Sequence, residues 1–158
     1  MDFEFVSTTN TLIINEGRGL FIKRDDSLNE FPGWLILPGG KQKEDETPQQ
    51  AATREVFEET GLKITDPKLK VIATHNHIYK SKVYIVYIFE SSQYFGELID
   101  YEEGKGKPIW LPVKETLDDP KLFPDLKRHL RLVMDSKSDE IVFTYHKFNK
   151  DMEIIESL

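Results

Sequence analysis

The chain is predicted to be an α/β protein, a mixed β-sheet with helices packed on its faces. Three observations predict this. Segments rich in Leu, Ile, Val and aromatic residues recur at strand length along most of the sequence. Two stretches, 47–61 and 123–134, carry helix signals instead. No linker, repeat or low-complexity tract divides the 158 residues, so one domain over 1–158 is expected.

Taken in order, Thr8 to Ile14 and Gly19 to Lys23 read as strands around the turn Asn15-Glu16-Gly17-Arg18. A polar loop, 24–33, leads to a short apolar strand, Trp34 to Leu37, and then to a Pro38-Gly39-Gly40 loop. There the paired glycines offer backbone conformations closed to other residues, and close approach of a ligand. Leu69 to Tyr79 and Lys82 to Phe89 are the clearest strands, closed into a hairpin at Lys80-Ser81. Val83 to Ile88 is β-branched and aromatic throughout, as a strand buried on both faces should be. Ser91 to Lys107 is less regular, Pro108 to Leu111 is a strand, and Val113 to Leu117 is a helical turn. Phe123 to Met134 is the second helix, starting near Pro124-Asp125. Glu140 to Phe148 and Met152 to Ile155 form a terminal strand pair around Asn149-Lys150-Asp151.

Composition narrows the function. The 28 acidic and 21 basic residues give a net charge of −7, which argues against a general affinity for nucleic-acid polymers. It does not argue against a small nucleotide, because a bound cation inverts the local field. The absence of cysteine rules out disulfides and thiolate chemistry. With no signal-peptide pattern at the N-terminus and no apolar run of membrane-spanning length, a cytoplasmic protein without membrane contact is expected. No residue pattern specifies an oligomeric state.

The chemistry concentrates in 40–62. Thr47 is a good N-cap, Pro48 suits the first helical position, Gln50 completes a capping box and Gly61 is the expected stop. Between them Glu55, Glu58 and Glu59 stand at i, i+3, i+4, so three carboxylates share one helix face. Like charges so placed repel, and more so when partly buried. A hard divalent cation with oxygen ligands relieves that repulsion. A solvated glutamate-rich face is the plainer reading of the three acids alone.

The wider pattern decides between them. Gly40, Glu46 and the run Arg54-Glu55-Val56-Phe57-Glu58-Glu59-Thr60-Gly61-Leu62 resemble the Nudix box, with every fixed position filled. The resemblance implies an α/β/α sandwich and hydrolysis of a nucleoside diphosphate linked to another group, with Mg2+ or Mn2+. It implies that Glu55, Glu58 and Glu59 are metal ligands, with a carbonyl from the Gly40 loop. Glu46 and Arg54 would pair and brace loop against helix, and Glu58 or Glu59 would take the proton of the attacking water.

Outside the box, Phe95-Gly96-Glu97-Leu98-Ile99-Asp100, Pro108-Ile109-Trp110-Leu111-Pro112 and Phe123-Pro124-Asp125 are similar to MutT-type oxidised-purine nucleotide hydrolases. That similarity implies 8-oxo-dGTP as substrate, with dinucleoside polyphosphates, nucleotide sugars or a non-catalytic nucleotide sensor as alternatives. Phe123 would stack on the base and Gly39 would border it. Asp125 has two readings: a carboxyl that reads a purine edge, or a first-turn acid facing the helix dipole. Glu103, with Glu102 beside it, could complete the metal shell from the facing loop. One departure stands out: many members carry Trp four residues before the Gly pair, where this chain has Leu35, with Trp34 one residue further out. Either a bulge or a different substrate wall follows. His75 and His77 share a strand face and read as structural or substrate-lining rather than metal-binding, while His129 and His146 carry no signal.

Overall fold

The computed structural model describes residues 2–100, 103–136 and 139–158. Its elements follow in order as β1 (Glu4–Asn15), β2 (Arg18–Arg24), β3 (Leu35–Ile36), β4 (Gly39–Lys41), α1 (Pro48–Thr60), β5 (Lys63–Ile64), β6 (Lys68–His77), β7 (Lys82–Ser91), β8 (Tyr94–Phe95), β9 (Gly106–Pro112), α2 (Val113–Thr116), α3 (Leu126–Asp135), β10 (Val142–Phe148) and β11 (Ile154–Ser157). The main sheet runs β11-β10-β6-β7-β1-β2-β3, with β4 also on β1 and β9 also on β2. Two pairings are parallel, β1 with β7 and β10 with β6, and the others are antiparallel.

The layers follow from strand alternation. Neighbouring side chains on a strand point to opposite faces. Leu12 and Phe21 therefore enter one core, with Val71, Val86, Leu126, Leu130 and Val133, which seats α3. Ile13 and Leu20 enter another, with Val56, Leu62 and Ile64, which seats α1. The sheet thus lies between α1 and α3, and the fold is an α/β/α sandwich.

Helix α1 forms where its caps predict. Gln50 N donates to Thr47 Oγ1 at 3.2 Å and Thr47 N donates to Gln50 Oε1 at 2.8 Å, closing both halves of the capping box. Gly61 ends the helix at φ 78°, its N–H reaching Phe57 O at 2.9 Å.

Three details differ from expectation. A 3-10 turn, Ile78–Lys80, links β6 to β7, with Ser81 in the left-handed region at φ 50°. The strand after loop 24–33 is only Leu35–Ile36 and pairs with β2 without a bulge. Gly39-Gly40 is not a loop but strand β4, registered against Asn10 and Thr9 of β1. These glycines are required by proximity rather than by unusual dihedrals. A Cβ at Gly39 would lie 1.9 Å from Thr9 O, and one at Gly40 would lie 2.5 Å from the Glu55 carboxyl.

Candidate active site

Strand β4 and helix α1 meet edge to face, and Arg54 joins them. Its guanidinium donates to Lys41 O at 3.0 Å and to Glu46 Oε2 at 2.9 Å. The same group donates to Glu55 Oε1 at 2.7 Å and Glu58 Oε2 at 3.1 Å. Glu46 in turn accepts from Lys43 N at 3.0 Å. This anchoring holds the Glu46 carboxyl down at about 2, first through Arg54 and then through the Lys43 amide. Arg54 gains proton affinity from the same contacts.

Glu59 is in a different state. It accepts from Gly39 N at 3.1 Å and is mostly buried. Burial pushes its carboxyl up to about 7 despite the Gly39 bond, with Glu55 and Glu58 adding to the rise and Lys105 opposing it. The structure therefore brings Gly39, Gly40, Glu46, Arg54, Glu55, Glu58 and Glu59 together, with Glu58 the most exposed of the three helix acids.

These residues fit a hard divalent cation. Of the three helix carboxylates, Glu55 and Glu58 share Arg54 as their cationic partner and Glu59 is held by the Gly39 amide, and the space at Gly40 that a methyl group would fill is bounded by the Glu55 oxygens. Glu103 is exposed, and the crevice beside Glu59 is lined by Gly104, Lys105 and Gly106 and not by Glu103. Glu102 lies outside the described residues. Arg24 and Lys105, which sequence reasoning did not single out, are the basic residues lining that crevice. The only hint in the sequence was Lys105 between two glycines.

On the other side of Gly39 and Gly40 opens a cleft of about 310 Å³, walled by Thr8, Asn10, Tyr84, Phe123, Asp125 and Phe148 among others. Phe123 stands in an aromatic group with Phe31 and Trp34, at centroid distances of 5.4 and 5.9 Å. Leu35 is in the core at 5% exposure, and Trp34 packs against Phe123 from outside the cleft lining. His75 and His77 line the cleft too.

Asp125 precedes α3 but makes no capping hydrogen bond. Its side chain, 3% exposed, turns inward. Oδ2 lies 3.3 Å from His75 Nε2 and 3.6 Å from His129 Nδ1, while Oδ1 has no hydrogen-bond partner among the described residues. Burial raises the Asp125 carboxyl, with His129 and His146 opposing. Burial lowers His75 to about 3 and His129 to about 4. The convergence of His129 and His146 on this spot had no signal in spacing, apart from the i, i+4 step from Asp125 to His129.

With the geometry in place, comparison with known proteins is direct. A family model, the NUDIX domain, matches residues 5–133. The chain belongs to the NUDIX domain family. It is 32% identical over 88 residues to the uncharacterized Nudix hydrolase YvcI of Bacillus subtilis, a match spanning 52% of this chain and 54% of that protein. It is 30% identical over 76 residues to an 8-oxo-dGTP diphosphatase of Proteus vulgaris, spanning 48% of this chain and 68% of that protein. The first of these alignments thus spans only about half of its relative's length. In fold, it superposes on the MutT mutator protein of Bacillus halodurans with a TM-score of 0.83 and 23% identity, covering 97% of this chain and 96% of that one. Among the described residues no helix is long and apolar enough to cross a membrane.

Proposed function

We propose that the chain is a metal-dependent pyrophosphohydrolase that cleaves an oxidised purine deoxynucleoside triphosphate, such as 8-oxo-dGTP, to the monophosphate and pyrophosphate. The observation that carries this reading is the adjacency of two sites across Gly39-Gly40. On one side stands the carboxylate face, and on the other a cleft with an unpartnered buried carboxyl oxygen. A nucleotide spanning both would place its phosphates over α1 and its base against Phe123 and Asp125. Family members use divalent metal ions, and we assign Mg2+ or Mn2+ here to Glu55, Glu58, Glu59 and the Gly40 carbonyl. When bound, the ion neutralises phosphate charge and activates water.

The chain's own residues do the rest. Arg54 fixes Glu55 and Glu58, and its pairing with Glu46 locks β4 against α1. Glu58 and Glu59 are the candidate proton acceptors for the attacking water. Burial raises the Glu59 carboxyl in the metal-free chain, and a cation bound beside it would favour the ionised form that accepts a proton. Arg24 and Lys105 put positive charge beside Glu59, where phosphate oxygens would lie. Asp125 Oδ1 would accept from, or in its acid form donate to, a purine edge, and Phe123 would contact the ring. Glu103, exposed on the facing loop, is kept only as an outlying metal ligand.

The test is a hydrolysis screen over oxidised and normal dNTPs, dinucleoside polyphosphates and nucleotide sugars, with products identified and a chelator control. Highest catalytic efficiency on 8-oxo-dGTP, with pyrophosphate released and activity abolished by chelator, is expected. Preference for a dinucleoside polyphosphate or nucleotide sugar would replace the substrate, and turnover undiminished in excess chelator would refute the metal mechanism.

A further inference from the structure

Behind the cleft, three elements bring three imidazoles to one point. His75 of β6 and His146 of β10 are register partners in the parallel pairing, and α3 lays His129 against them. All three are buried, at 6%, 1% and 0% exposure, and their ligand-capable nitrogens lie within 4.8 Å of one another. None belongs to the carboxylate face of α1.

Hydrogen-bond accounting leaves this cluster unsatisfied. Among the described residues, His75 Nε2 and His129 Nδ1 have no hydrogen-bond partner, although buried polar atoms are nearly always paired. In its ionised form the Asp125 carboxylate only accepts, so closing the contact from His129 Nδ1, which at 3.6 Å from Oδ2 is too long for a hydrogen bond, would place the proton on Nδ1. The Nε2 lone pair of His129 then faces His146 Nε2 across 3.2 Å. That separation matches the edge of a tetrahedron, about 3.3 Å, drawn by nitrogens each about 2.0–2.1 Å from a zinc ion. Outer partners are present as well. Asp125 stands behind His129, and Ser157 Oγ lies 3.1 Å from His146 Nδ1, the arrangement that orients metal-binding histidines.

We propose that His75, His129 and His146 form a second metal site, separate from the glutamates, for a transition-metal cation of the zinc class. Imidazole favours such an ion over magnesium, which prefers oxygen, so the two sites sort two kinds of cation. Closing round the ion requires the His75 ring, stacked on His129 with a nitrogen within 4.8 Å of the other two, to turn and move in. The site would tie β6, β10 and α3 together and hold the Asp125 carboxyl in place. The proposal does not depend on the hydrolase reading. The competing arrangement is a single N–H···N hydrogen bond between His129 and His146, which leaves His75 Nε2 unpaired.

Cobalt discriminates the two. The metal-stripped 158-residue chain titrated with CoCl2 should develop the intense visible absorption of tetrahedral, nitrogen-ligated cobalt. The signal should saturate at about one equivalent, as expected for a single site of three histidines with water in the fourth position, and ZnCl2 should displace it. Glu55→Gln should keep the band and His146→Gln should abolish it. Ser157→Ala, near the surface on β11, should fold normally and bind cobalt on the order of 10-fold more weakly. It keeps the proposal testable should His146→Gln fail to fold. Absence of a saturable intense band in the wild-type chain would overturn the site. So would a band lost in Glu55→Gln but retained in folded His146→Gln.

Discussion

The carboxylate face of α1 and the imidazole cluster behind the cleft each crowd ionisable groups that would repel one another or go unpaired, and each handles the problem differently. On α1 the answer is a braced counter-charge. Arg54 reaches Glu46, Glu55 and Glu58, and the face stays partly open to solvent. Behind the cleft burial answers instead by keeping imidazoles uncharged, and the Arg128 guanidinium, bonded to Ser157 Oγ at the edge of the cluster, adds to the effect. The first arrangement leaves room for a hard cation and a substrate. The second is buried at the back of the cleft and suited to softer ligation. Charge clustered at a surface is made for exchange, whereas polarity sealed in a core is made to hold geometry.

The largest expected effect breaks the first cluster. Glu59→Gln should keep the fold and cut turnover on the proposed substrate by about 100-fold or more, because charge stabilisation in the transition state is lost. Steady-state kinetics with circular dichroism as the fold control checks this. Near wild-type turnover would remove Glu59 from the site.

A smaller effect should come from the carboxyl that stands between the imidazole cluster and the cleft. Asp125→Ala is expected to cost about 1–3 kcal/mol of catalytic efficiency toward 8-oxo-dGTP, the cost of leaving a buried partner unpaired, and much less toward dCTP. An unchanged ratio among 8-oxo-dGTP, dGTP and dCTP would defeat the recognition role.

The next prediction sharpens the comparison through pH. Glu59 has its proton affinity raised in the folded chain, from an ordinary 4.5 to about 7. Its contribution is therefore favourable while it is protonated and is lost as pH rises through 7. In chelator, Glu59→Gln and wild type should be about equally stable near pH 4.5. The variant should then become more stable by on the order of 2 kcal/mol above pH 7.5. The buried histidines titrate in the same window with the opposite sign, but they are common to both proteins and cancel in the difference. Denaturant melts at several pH values measure it, and a pH-independent difference would show that burial does not perturb Glu59.

The smallest effect concerns the helix that carries the face. Thr47→Ala removes one half of the capping box and should lower stability by about 1 kcal/mol while leaving substrate preference intact. A thermal melt beside the kinetic screen would show whether stability and preference separate.

These two clusters also differ in how far they could be read from the chain. The α1 face is local: cap, periodic acids and stop fall within 47–61, so both the helix and its shared carboxylate edge follow from spacing alone. Gly39-Gly40 was half readable. The need for glycine was visible, but its cause, the carbonyl of Thr9 and the carboxyl of Glu55, lies in elements distant in sequence. The imidazole cluster is non-local. His75 and His146 meet only because β6 and β10 pair in parallel, and no spacing encodes that pairing. Trp34 shows the same limit, since its place outside the cleft lining follows from the burial of Leu35 in the core, a tertiary contact that spacing does not encode.

Strand β1 carries a consequence for how the molecule assembles. It pairs in parallel with β7, Phe5 against Val83, while β10 pairs in parallel with β6, Val142 against Val71. Both contacts join residues about seventy or more positions apart, so long loops must close before either pairing returns any energy. The β4–α1 unit closes over a much shorter span. Newly made chains are therefore expected to acquire the acidic face early and the cleft late. During that interval the edges of β6 and β7 lie bare, and the slowest step of folding is also the one most open to aggregation.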